Sequence, residues 1–195
     1  MNKLLVVDLC GTIVRKNTTH DFMANSALPL LRRIAARLIL SRVAGFLYTR
    51  IRPELQRENL IACLRGVKRS NLVQMGRDYA STTLAQHPRV EVLQRIRRAQ
   101  EEGVSVVLAS ASLDFIVSGF ALVLGVDAAV STQLSYSDSQ HCLGVIGRES
   151  TGCKLVLLRE YIGASDLEFE VITDNPEDVD LMAEATNVWF IHAQD

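Results

Sequence analysis

An apolar run near the start of the chain ends at an acidic residue, and this junction constrains the fold more than any other feature. The run Leu4–Val7 has no polar residue before Asp8. Continuous apolar runs of this kind are typical of parallel strands that are buried on both faces. Because open α/β sheets bind ligands at the carboxyl ends of their strands, an acid at this position indicates a functional residue.

Further apolar runs and helical patterns extend this picture along the chain. Strands are predicted at residues 4–7, 104–108, 128–130, 169–172 and 188–191. Helices are predicted over residues 90–102, 115–124 and 154–162, each ending at a glycine. The alternation of strands and helices predicts an α/β fold with a doubly wound, Rossmann-like parallel sheet.

The long segment between the first two predicted strands has no strand signals and predicts several helices. A crossover between parallel strands needs only about a dozen residues, so the excess is an insertion. We expect residues 1–14 and 87–195 to form the α/β core and residues 15–86 to form a helical cap over its ligand-binding edge. The length of 195 residues, 48% of them hydrophobic, suits one core with such an inserted lobe.

The predicted cap is basic although the whole chain is nearly neutral. The formal net charge of −1 gives no general attraction for nucleic acid. Residues 32–69 contain ten Lys and Arg residues but only two acids, Glu54 and Glu58. This charge fits a solvated surface, attraction of an anionic substrate, or contact with an anionic membrane surface. The membrane alternative is the weakest of the three, because the arginines do not keep to one helical arc.

The composition argues against several classes of protein. Only Lys3 is basic near the start, and Asp8 interrupts the apolar run, so no signal peptide is predicted. No apolar stretch approaches the ~20 residues that a membrane-spanning helix needs. The cysteines form no Cys-x-x-Cys pair and no histidine lies at metal-ligand spacing, which argues against a zinc site. We expect a cytoplasmic protein with four free thiols, Cys10, Cys63, Cys142 and Cys153.

Four polar landmarks follow predicted strands or begin predicted helices. Singly, Ser110 fits a helix N-cap and Lys154 fits a solvated helix residue. Asp174 or Asn175 fits a second N-cap, with Pro176 at the first helical position. Parallel strands bring their carboxyl ends together, so the landmarks are also expected to converge in one site. In chain order they are Asp8 with Gly11 and Thr12, then Ser110, then Lys154, and last residues 173–178.

The four landmarks together resemble the motifs of the haloacid dehalogenase (HAD) superfamily. Its first motif is an apolar strand that ends in Asp-x-Asp-x-Thr, its second a strand that ends in Ser or Thr, its third a Lys, and its fourth a strand that ends in an acidic pair. The chain is similar to the phosphoserine phosphatase-like branch, which has a helical cap after the first motif. The matching residues span nearly the whole chain and are Asp8, Gly11, Thr12, Ser110, Lys154, Asp174 and Asp178.

This resemblance implies a Mg²⁺-dependent hydrolase that forms an aspartyl-phosphate. Asp8 would be the nucleophile and, with Asp174 and the backbone carbonyl of Cys10, a ligand of Mg²⁺. Asn175 and Asp178 would complete the metal site by orienting bound waters or the lysine. Phosphoryl transfer needs mainly positioning and charge neutralisation. The groups that bind the phosphoryl oxygens would come from Thr12, Ser110, Ala111 and Lys154.

One departure from the first motif concerns proton transfer. In the phosphatases of the superfamily, an acid two residues after the nucleophile protonates the leaving alcohol and then activates water, but here Cys10 occupies that catalytic position. A free thiol has a pKa near ~8.5, and general acid–base catalysis is typically worth ~10²–10⁴-fold. We therefore expect weak turnover of ordinary alkyl phosphate esters.

Cys10 leaves two other functions open. Superfamily members without the second acid tend to expel groups that need no proton, as haloacid dehalogenases and P-type ATPases do. Dehalogenases work without Mg²⁺, so the acidic pair Asp174 and Asp178 favours phosphoryl chemistry. The other alternative is a catalytically impaired HAD-fold protein that binds phosphate.

The segment after the first motif bears on the substrate. Phosphoserine phosphatases place a Glu there to bind the ammonium group of the substrate, but residues 15–19 carry no acid, and Asp21 is the first to follow. Together with the basic cap, this argues for a more anionic phosphorylated small molecule. A minor departure is Thr173, which stands where Gly often precedes the acid of the fourth motif.

Overall fold

The computed structural model describes residues 3–126, 128–163 and 168–192. The strands in this part of the chain are β1 (Leu4–Val7), β2 (Ser105–Leu113), β3 (Ala128–Tyr136), β4 (Cys142–Arg148), β5 (Phe169–Thr173) and β6 (Asn187–Phe190). The helices are α1 (Thr18–Asn25), α2 (Leu30–Ile39), α3 (Arg42–Ile51), α4 (Pro53–Ala62), α5 (Arg69–Gln86), α6 (Val90–Glu101), α7 (Asp114–Leu124), α8 (Lys154–Ile162) and α9 (Val179–Glu184).

The strands form a single sheet in the order β4-β3-β2-β1-β5-β6. All neighbouring pairs are parallel except β3 and β4, which are antiparallel. The predicted α/β class with a Rossmann-like, mainly parallel sheet is confirmed. The chain first builds the sheet on one side of β1 and then returns to its other side with β5. The chain therefore has its topological switch point between β1 and β5. Sheets of this class bind ligands at the carboxyl ends of the strands at such a point.

Strand β4 is the strand that the sequence did not predict. Its sequence, CLGVIGR, contains two glycines and a terminal arginine, which break the apolar pattern of a buried strand. The strand lies at the edge of the sheet, and its residues alternate between buried and exposed over positions 142–145. An edge strand with one buried face needs no continuous apolar run.

Two apolar layers cover the sheet, one on each face. Leu5 and Val7 of β1 pack in a layer with residues of α5, α6 and α7, whereas Leu4 and Val6 pack with residues of α8 and α9. All four side chains of β1 are buried. This two-sided burial explains the unbroken apolar run of β1, and it places Asp8 where the strand reaches the edge of the sheet.

Two alternative explanations of candidate site residues as helix caps are wrong. Strand β2 continues through Ser110 to Leu113, so Ser110 does not cap the helix that follows. Helix α9 begins at Val179, with the preceding residue at its N-cap position. Asp174 and Asn175 therefore lie in the turn before that helix and do not cap it.

Five helices, α1 to α5, lie within residues 15–86, the range predicted as a cap. This range is called the helical segment below. The boundaries of the core and the cap stay a prediction. Residues 1, 2, 127, 164–167 and 193–195 of the predicted core lie outside the described residues.

Helix α5 of the helical segment crosses α7 of the core at two glycines. A Cβ added at Gly119 would lie 2.5 Å from the carbonyl oxygen of Gly76, and one added at Gly76 would lie 2.1 Å from the carbonyl oxygen of Phe115. Neither position has room for a methyl group, so the two helix backbones are in direct contact. This contact fixes the last helix of the helical segment on the core.

Replacing Gly119 by alanine should destabilise the protein, because the new methyl group would push the two backbones apart. We expect a loss of about 1–3 kcal/mol in the free energy of unfolding, measured by urea denaturation. Gly45→Ala in α3 is the matched control, since the nearest neighbour of its Cβ would be the Gln56 side chain at 3.8 Å. The control should keep or raise stability by up to about 1 kcal/mol. Equal stability of the Gly119→Ala and wild-type proteins would contradict direct backbone contact.

Candidate active site

A cavity of about 430 Å³ opens at the carboxyl ends of β1, β2 and β5. Thr12 and Asp178 lie behind its wall, where they hydrogen-bond to Asp174 and Lys154. The strand ends thus bring the landmarks together in space. The predicted site residues that line the cavity are Asp8, Cys10, Ser110, Ala111, Lys154, Asp174 and Asn175.

Strand register explains why these residues meet. Val7 pairs with Leu108 of β2 and with Ile172 of β5, so the residues that follow reach the same edge of the sheet. The register between β2 and β3 shifts after Ala109. Irregularities of this kind are common next to active sites, and Ser110, the residue that follows Ala109, lines the cavity.

A buried lysine joins the first and fourth motifs. Nζ of Lys154 donates to Oδ1 of Asp8 at 2.8 Å and to Oδ2 of Asp178 at 2.7 Å. The lysine side chain is 2% exposed. An ammonium group that is removed from water in this way needs opposite charges and hydrogen-bond acceptors around it. The two carboxylates supply both, and they fix the position of Nζ at the cavity.

Burial and charge act in opposite directions within this group. Burial is the larger effect on Asp8 and raises its pKa to about 6, although the charge of Lys154 opposes it. Burial acts to lower the pKa of Lys154, but the charges of Asp8 and Asp178 outweigh it and raise that pKa. Lys154 is therefore a cation at neutral pH, and Asp8 is ionised above pH about 6.

Asp174 is held in place by residues of the first motif. Thr12 donates through Oγ1 to Oδ1 of Asp174 at 2.9 Å and accepts the backbone N–H of Asp174 at 2.9 Å. Gly11 has a φ of +75°, and a Cβ there would lie 1.8 Å from Oδ2 of Asp174. Both the backbone conformation and the space therefore require glycine. In this structure the hydroxyl group of Thr12 hydrogen-bonds to Asp174. The contact of Thr12 with a phosphoryl group therefore stays a prediction.

Thr173, the departure noted in the fourth motif, positions Asp178. Its Oγ1 donates to Oδ2 of Asp178 at 2.7 Å and accepts the backbone N–H of Asn175 at 3.1 Å. Nδ2 of Asn175 donates to Oδ1 of Asp178 at 3.4 Å. Both oxygens of Asp178 thus accept protein donors. This arrangement fits the predicted role of Asp178 in orienting Lys154 better than direct contact with a metal.

Two carboxylates that line the cavity fit a magnesium ion. The side-chain hydrogen bonds to Asp8 from Lys154 and to Asp174 from Thr12 each use Oδ1. Mg²⁺ is commonly bound by one or two carboxylates and completes its octahedron with waters and substrate phosphate. Over residues 3–126, 128–163 and 168–192, no three His, Cys, Asp or Glu side chains form a metal-binding group. The side chains available to a metal ion are therefore these two carboxylates, and the backbone carbonyl of Cys10 stays a predicted third ligand.

Cys10 lies in a cluster of neutral hydroxyl groups. Its Sγ is 3.1 Å from Oγ1 of Thr18 and 3.0 Å from Oγ of Ser112, and these two oxygens are 2.6 Å apart. Burial and the negative charge of Asp8 raise the pKa of the thiol, although the hydrogen bonds oppose them. The thiol therefore stays protonated at neutral pH, and it cannot match a carboxyl group in proton exchange.

An arginine of the helical segment reaches the cavity and the core. Arg57 of α4 donates to the backbone carbonyl of Ala111 at 2.9 Å, to Oγ1 of Thr132 at 3.1 Å and to Oγ1 of Thr151 at 3.0 Å. It also forms an ion pair with Glu149 at 3.1 Å. These acceptors lie on β2, on β3 and between β4 and α8. One side chain therefore ties the helical segment to three parts of the core.

Sequence reasoning did not identify the residues that the helical segment adds to the cavity. Arg57 was one of ten basic residues in the predicted cap, and charge alone did not distinguish it. Burial and the charge of Arg57 lower the pKa of His20, so its imidazole is neutral at pH 7. The cavity residues that were not predicted are Asn17, Thr19, His20, Gln56, Arg57, Leu60, Ser112 and Pro176.

The sheet topology and the four motifs define a HAD-type hydrolase fold. The sequence model of the family described as haloacid dehalogenase-like hydrolase matches residues 5–183. The chain belongs to this family, and the superfamily predicted from the sequence is confirmed.

Individual proteins resemble the chain over most of its length. Protein CicA of Caulobacter vibrioides is 26% identical over 184 residues, which cover 92% of this chain and 82% of CicA. A Bordetella pertussis Tohama I protein of unknown function matches with a TM-score of 0.77 and 19% identity, over 96% of this chain and 89% of that one. A substrate-bound phosphoserine phosphatase matches with a TM-score of 0.60 and 16% identity, over 96% and 85%. The likeness to the phosphoserine phosphatase-like branch is confirmed at the level of the fold.

A further structural neighbour is a cytosolic 5′-nucleotidase. The structure of the IIIB enzyme bound to cytidine matches with a TM-score of 0.63 and 15% identity, over 98% of this chain and 72% of that one. This match shows a common fold.

Two other sequence predictions can be compared with the structure. Within the described ranges, no helix combines the length and the apolar character that crossing a membrane requires. Cys10, Cys63, Cys142 and Cys153 are all free, as expected.

The contacts of Arg57 predict that Glu149 stabilises the protein in a pH-dependent way. Burial acts to raise the pKa of Glu149, but hydrogen bonds from Thr132 and Thr151 and the charge of Arg57 hold it below its ordinary value of 4.5. For an acid whose pKa is lowered by folding, the stabilisation is present above the unfolded pKa and is lost as the pH falls through the folded pKa.

Glu149→Gln should therefore lower the free energy of unfolding at pH 7 and lose this effect in acid. The difference from wild type should be at most about 1 kcal/mol, because the Glu149 side chain is 38% exposed. Urea denaturation at neutral pH and at values below 4.5 would measure it. Glu58→Gln, at an exposed position of α4, is the control and should change little at any pH. A Glu149→Gln difference that is the same at both pH values would contradict the assignment.

Proposed function

We propose that the protein is a Mg²⁺-dependent phosphatase of the HAD family that hydrolyses a phosphorylated, anionic small molecule through an aspartyl-phosphate on Asp8. The observation that carries this proposal is the buried Lys154, which contacts Asp8 and Asp178 beside the cavity that Ser110 and Asp174 also line. A fixed cation, a hydroxyl group and two carboxylates are the positioning and charge-neutralising groups that phosphoryl transfer needs. A phosphoserine phosphatase of similar fold, with a TM-score of 0.58, has been solved as a phospho-aspartyl intermediate analogue.

The first half of the proposed reaction forms the aspartyl-phosphate. One carboxylate oxygen of Asp8, whose side chain Lys154 orients, attacks the phosphorus atom, and the other would remain available to Mg²⁺. A bond forms between this oxygen and phosphorus while the bond from phosphorus to the leaving oxygen breaks, and the leaving oxygen keeps the electron pair. Lys154 and Ser110 bind the phosphoryl oxygens and limit their movement.

The second half returns Asp8 to its starting state. Water attacks the phosphorus atom, the bond to the Asp8 oxygen breaks, and inorganic phosphate is released. Asp8 and Asp174 would hold Mg²⁺, which when bound would supply the neutralisation of negative charge that phosphoryl groups require. Asp178 acts through Lys154 as a positioning residue.

The environment of Cys10 limits which leaving groups the site can expel. An alkoxide must be protonated as it departs, and attack on the aspartyl-phosphate is helped by a base. A thiol of raised pKa among neutral hydroxyl groups is poorly suited to both tasks. The enzyme should therefore favour phosphate esters with good leaving groups.

The residues of the helical segment support an anionic substrate. Arg57 brings a positive charge to the cavity, next to the carbonyl of Ala111. Residues 15–19 carry no acid that could bind an ammonium group. Gln56 and Leu60 also line the cavity, which supports the proposal that the helical segment acts as its cap. The basic charge of this segment would attract a substrate that carries more negative charge than an amino-acid phosphate.

Cys10 also favours a second candidate function, a HAD-fold protein that binds phosphate with little turnover. The charged part of the site is intact, whereas the proton-transfer position is occupied by a weakly acidic thiol. The two candidates differ in whether the purified protein turns over any phosphate ester.

Asp8→Asn should abolish hydrolysis of 4-nitrophenyl phosphate in the presence of Mg²⁺, because an amide cannot attack phosphorus. We expect kcat to fall by at least about 10³-fold, measured from the release of 4-nitrophenolate. Removal of Mg²⁺ by a chelator should have a similar effect on the wild-type protein. Asp138→Asn, at an exposed turn position, is the matched control and should retain activity. Activity that survives in the Asp8→Asn protein would rule out the nucleophile assignment.

Cys10→Asp should restore the missing proton transfer and raise kcat/KM for an alkyl phosphate by about 10²-fold or more. The gain on 4-nitrophenyl phosphate should be smaller, because its leaving group needs little protonation. Cys10→Asn is the matched control, since it has the shape of aspartate without the acid. Equal rates for the Asp and Asn variants would contradict the role assigned to position 10. Absence of turnover by the wild type on both esters, with no gain in Cys10→Asp, would favour the phosphate-binding candidate.

A further inference from the structure

Helix α2 carries its large apolar side chains on its outer side. Leu30, Leu31, Ile34 and Leu38 are between 44% and 80% exposed. At 3.6 residues per turn they lie within roughly 100° of arc, which is one continuous stripe along the helix. Ala36, on the opposite side of the helix, is fully buried. The helix is thus amphipathic with an apolar stripe that faces away from the core.

Helix α3, which follows α2 directly in the chain, also exposes large apolar side chains. Val43, Phe46 and Leu47 are between 52% and 74% exposed. The guanidinium carbon of Arg50 lies 4.5 Å from the centre of the Phe46 ring, so an arginine is stacked on one of the exposed apolar residues. The exposed apolar residues of the two helices are named the α2–α3 face, which consists of Leu30, Leu31, Ile34, Leu38, Val43, Phe46 and Leu47.

The sequence that contains α2 and α3 carries only positive charges. Between Asp21 and Glu54 the chain contains six arginines and no acidic residue. On α2, Arg33 and Arg37 flank one edge of the apolar stripe by their helical positions. The arginines of this region are Arg32, Arg33, Arg37, Arg42, Arg50 and Arg52.

We propose that the α2–α3 face binds the surface of an anionic phospholipid bilayer. Helices that lie in a membrane interface combine an apolar stripe with flanking Lys or Arg and few acids, because the stripe enters the acyl boundary while the cations contact headgroup phosphates. The arginines alone do not keep to one arc, but the exposed apolar residues of α2 do. A second copy of the chain is a poorer occupant, since a symmetric contact would bring arginines against arginines.

The α2–α3 face is connected to the candidate active site without being part of it. Nε2 of Gln56 donates to the backbone carbonyl of Ile39 at 2.9 Å, and Arg32 donates to the carbonyl of Cys63 at 3.0 Å. These bonds join α2 to α4, which contributes Gln56 and Leu60 to the cavity. The face itself lies outside the residues that line the cavity, so bilayer binding does not depend on catalysis.

Flotation of the purified full-length protein with lipid vesicles tests this proposal. The wild-type protein should float with vesicles that contain phosphatidylcholine and phosphatidylglycerol, and it should stay at the bottom with phosphatidylcholine alone. Arg42→Gln combined with Arg50→Gln should weaken binding about 30-fold, taking about 1 kcal/mol for each arginine and about 1.4 kcal/mol for each factor of ten.

Apolar variants separate bilayer insertion from attraction of charge alone. Leu31→Gln, Leu38→Gln and Phe46→Gln combined should weaken binding at least about tenfold, because the burial of apolar surface is lost. The matched control combines Leu122→Gln in α7 with Val156→Gln in α8. These side chains are 60% and 54% exposed and lie outside the α2–α3 face, so the control should float like wild type. Circular dichroism would verify that each variant is folded.

Several results would overturn the proposal. These are failure of the wild type to float with anionic vesicles, wild-type binding by the apolar variant, or equal loss in the control. A dimer in light scattering that the apolar variant converts to a monomer would assign the face to a second copy instead. The Asp8→Asn protein should float like wild type, so failure of the proposed catalysis and failure of bilayer binding remain distinguishable.

Discussion

The rest of the site depends on the ion group that Lys154 forms with Asp8 and Asp178. Its members come from the end of β1, the first turn of α8 and the start of α9, so the group exists only when these three elements are correctly packed. Removal of one partner from a buried charge pair typically costs about 3–5 kcal/mol, because the remaining charge is uncompensated. Lys154, Asp8 and Asp178 are therefore needed both for the stability of the fold and for the geometry proposed for phosphoryl transfer.

The cavity has a charged side and a neutral side. Lys154 and the carboxylates form the charged side, whereas Cys10 and Ser112, which both hydrogen-bond to the buried Thr18, form the neutral one. The thiol of Cys10 hydrogen-bonds to two hydroxyl groups and to the backbone N–H of Thr18, whereas Lys154 donates to carboxylates. A thiol at position 10 thus changes the capacity for proton transfer without disturbing the ion group. The ion group of Lys154 is therefore complete in a chain that lacks the acid usual at position 10.

Much of the fold was predictable because it rests on local patterns. A strand buried on both faces, such as β1, must be an unbroken apolar run, and the acids at the ends of β1 and β5 mark where the runs stop. Strand β4 was missed because an exposed edge strand with glycines has no such signature. The contacts of Arg57 and Thr18 were not predictable, since they depend on how the helical segment lies on the sheet. The hydrophobic periodicity of a single sequence indicates helices and strands, but it does not indicate how the helical segment packs on the sheet.

The crossing of Gly76 and Gly119 also determines how the helical segment is held beside the cavity. Two backbones in direct contact have no side chains between them that could rearrange, so the position of α5 on α7 is closely fixed. Helix α4, which contributes residues to the cavity, is also held by polar contacts, because Arg57 donates to β2 and β3, and Arg65, just after α4, donates to the carbonyl of Leu143 in β4. The helical segment is therefore joined to the core by close backbone packing at α5 and by hydrogen bonds at and just after α4.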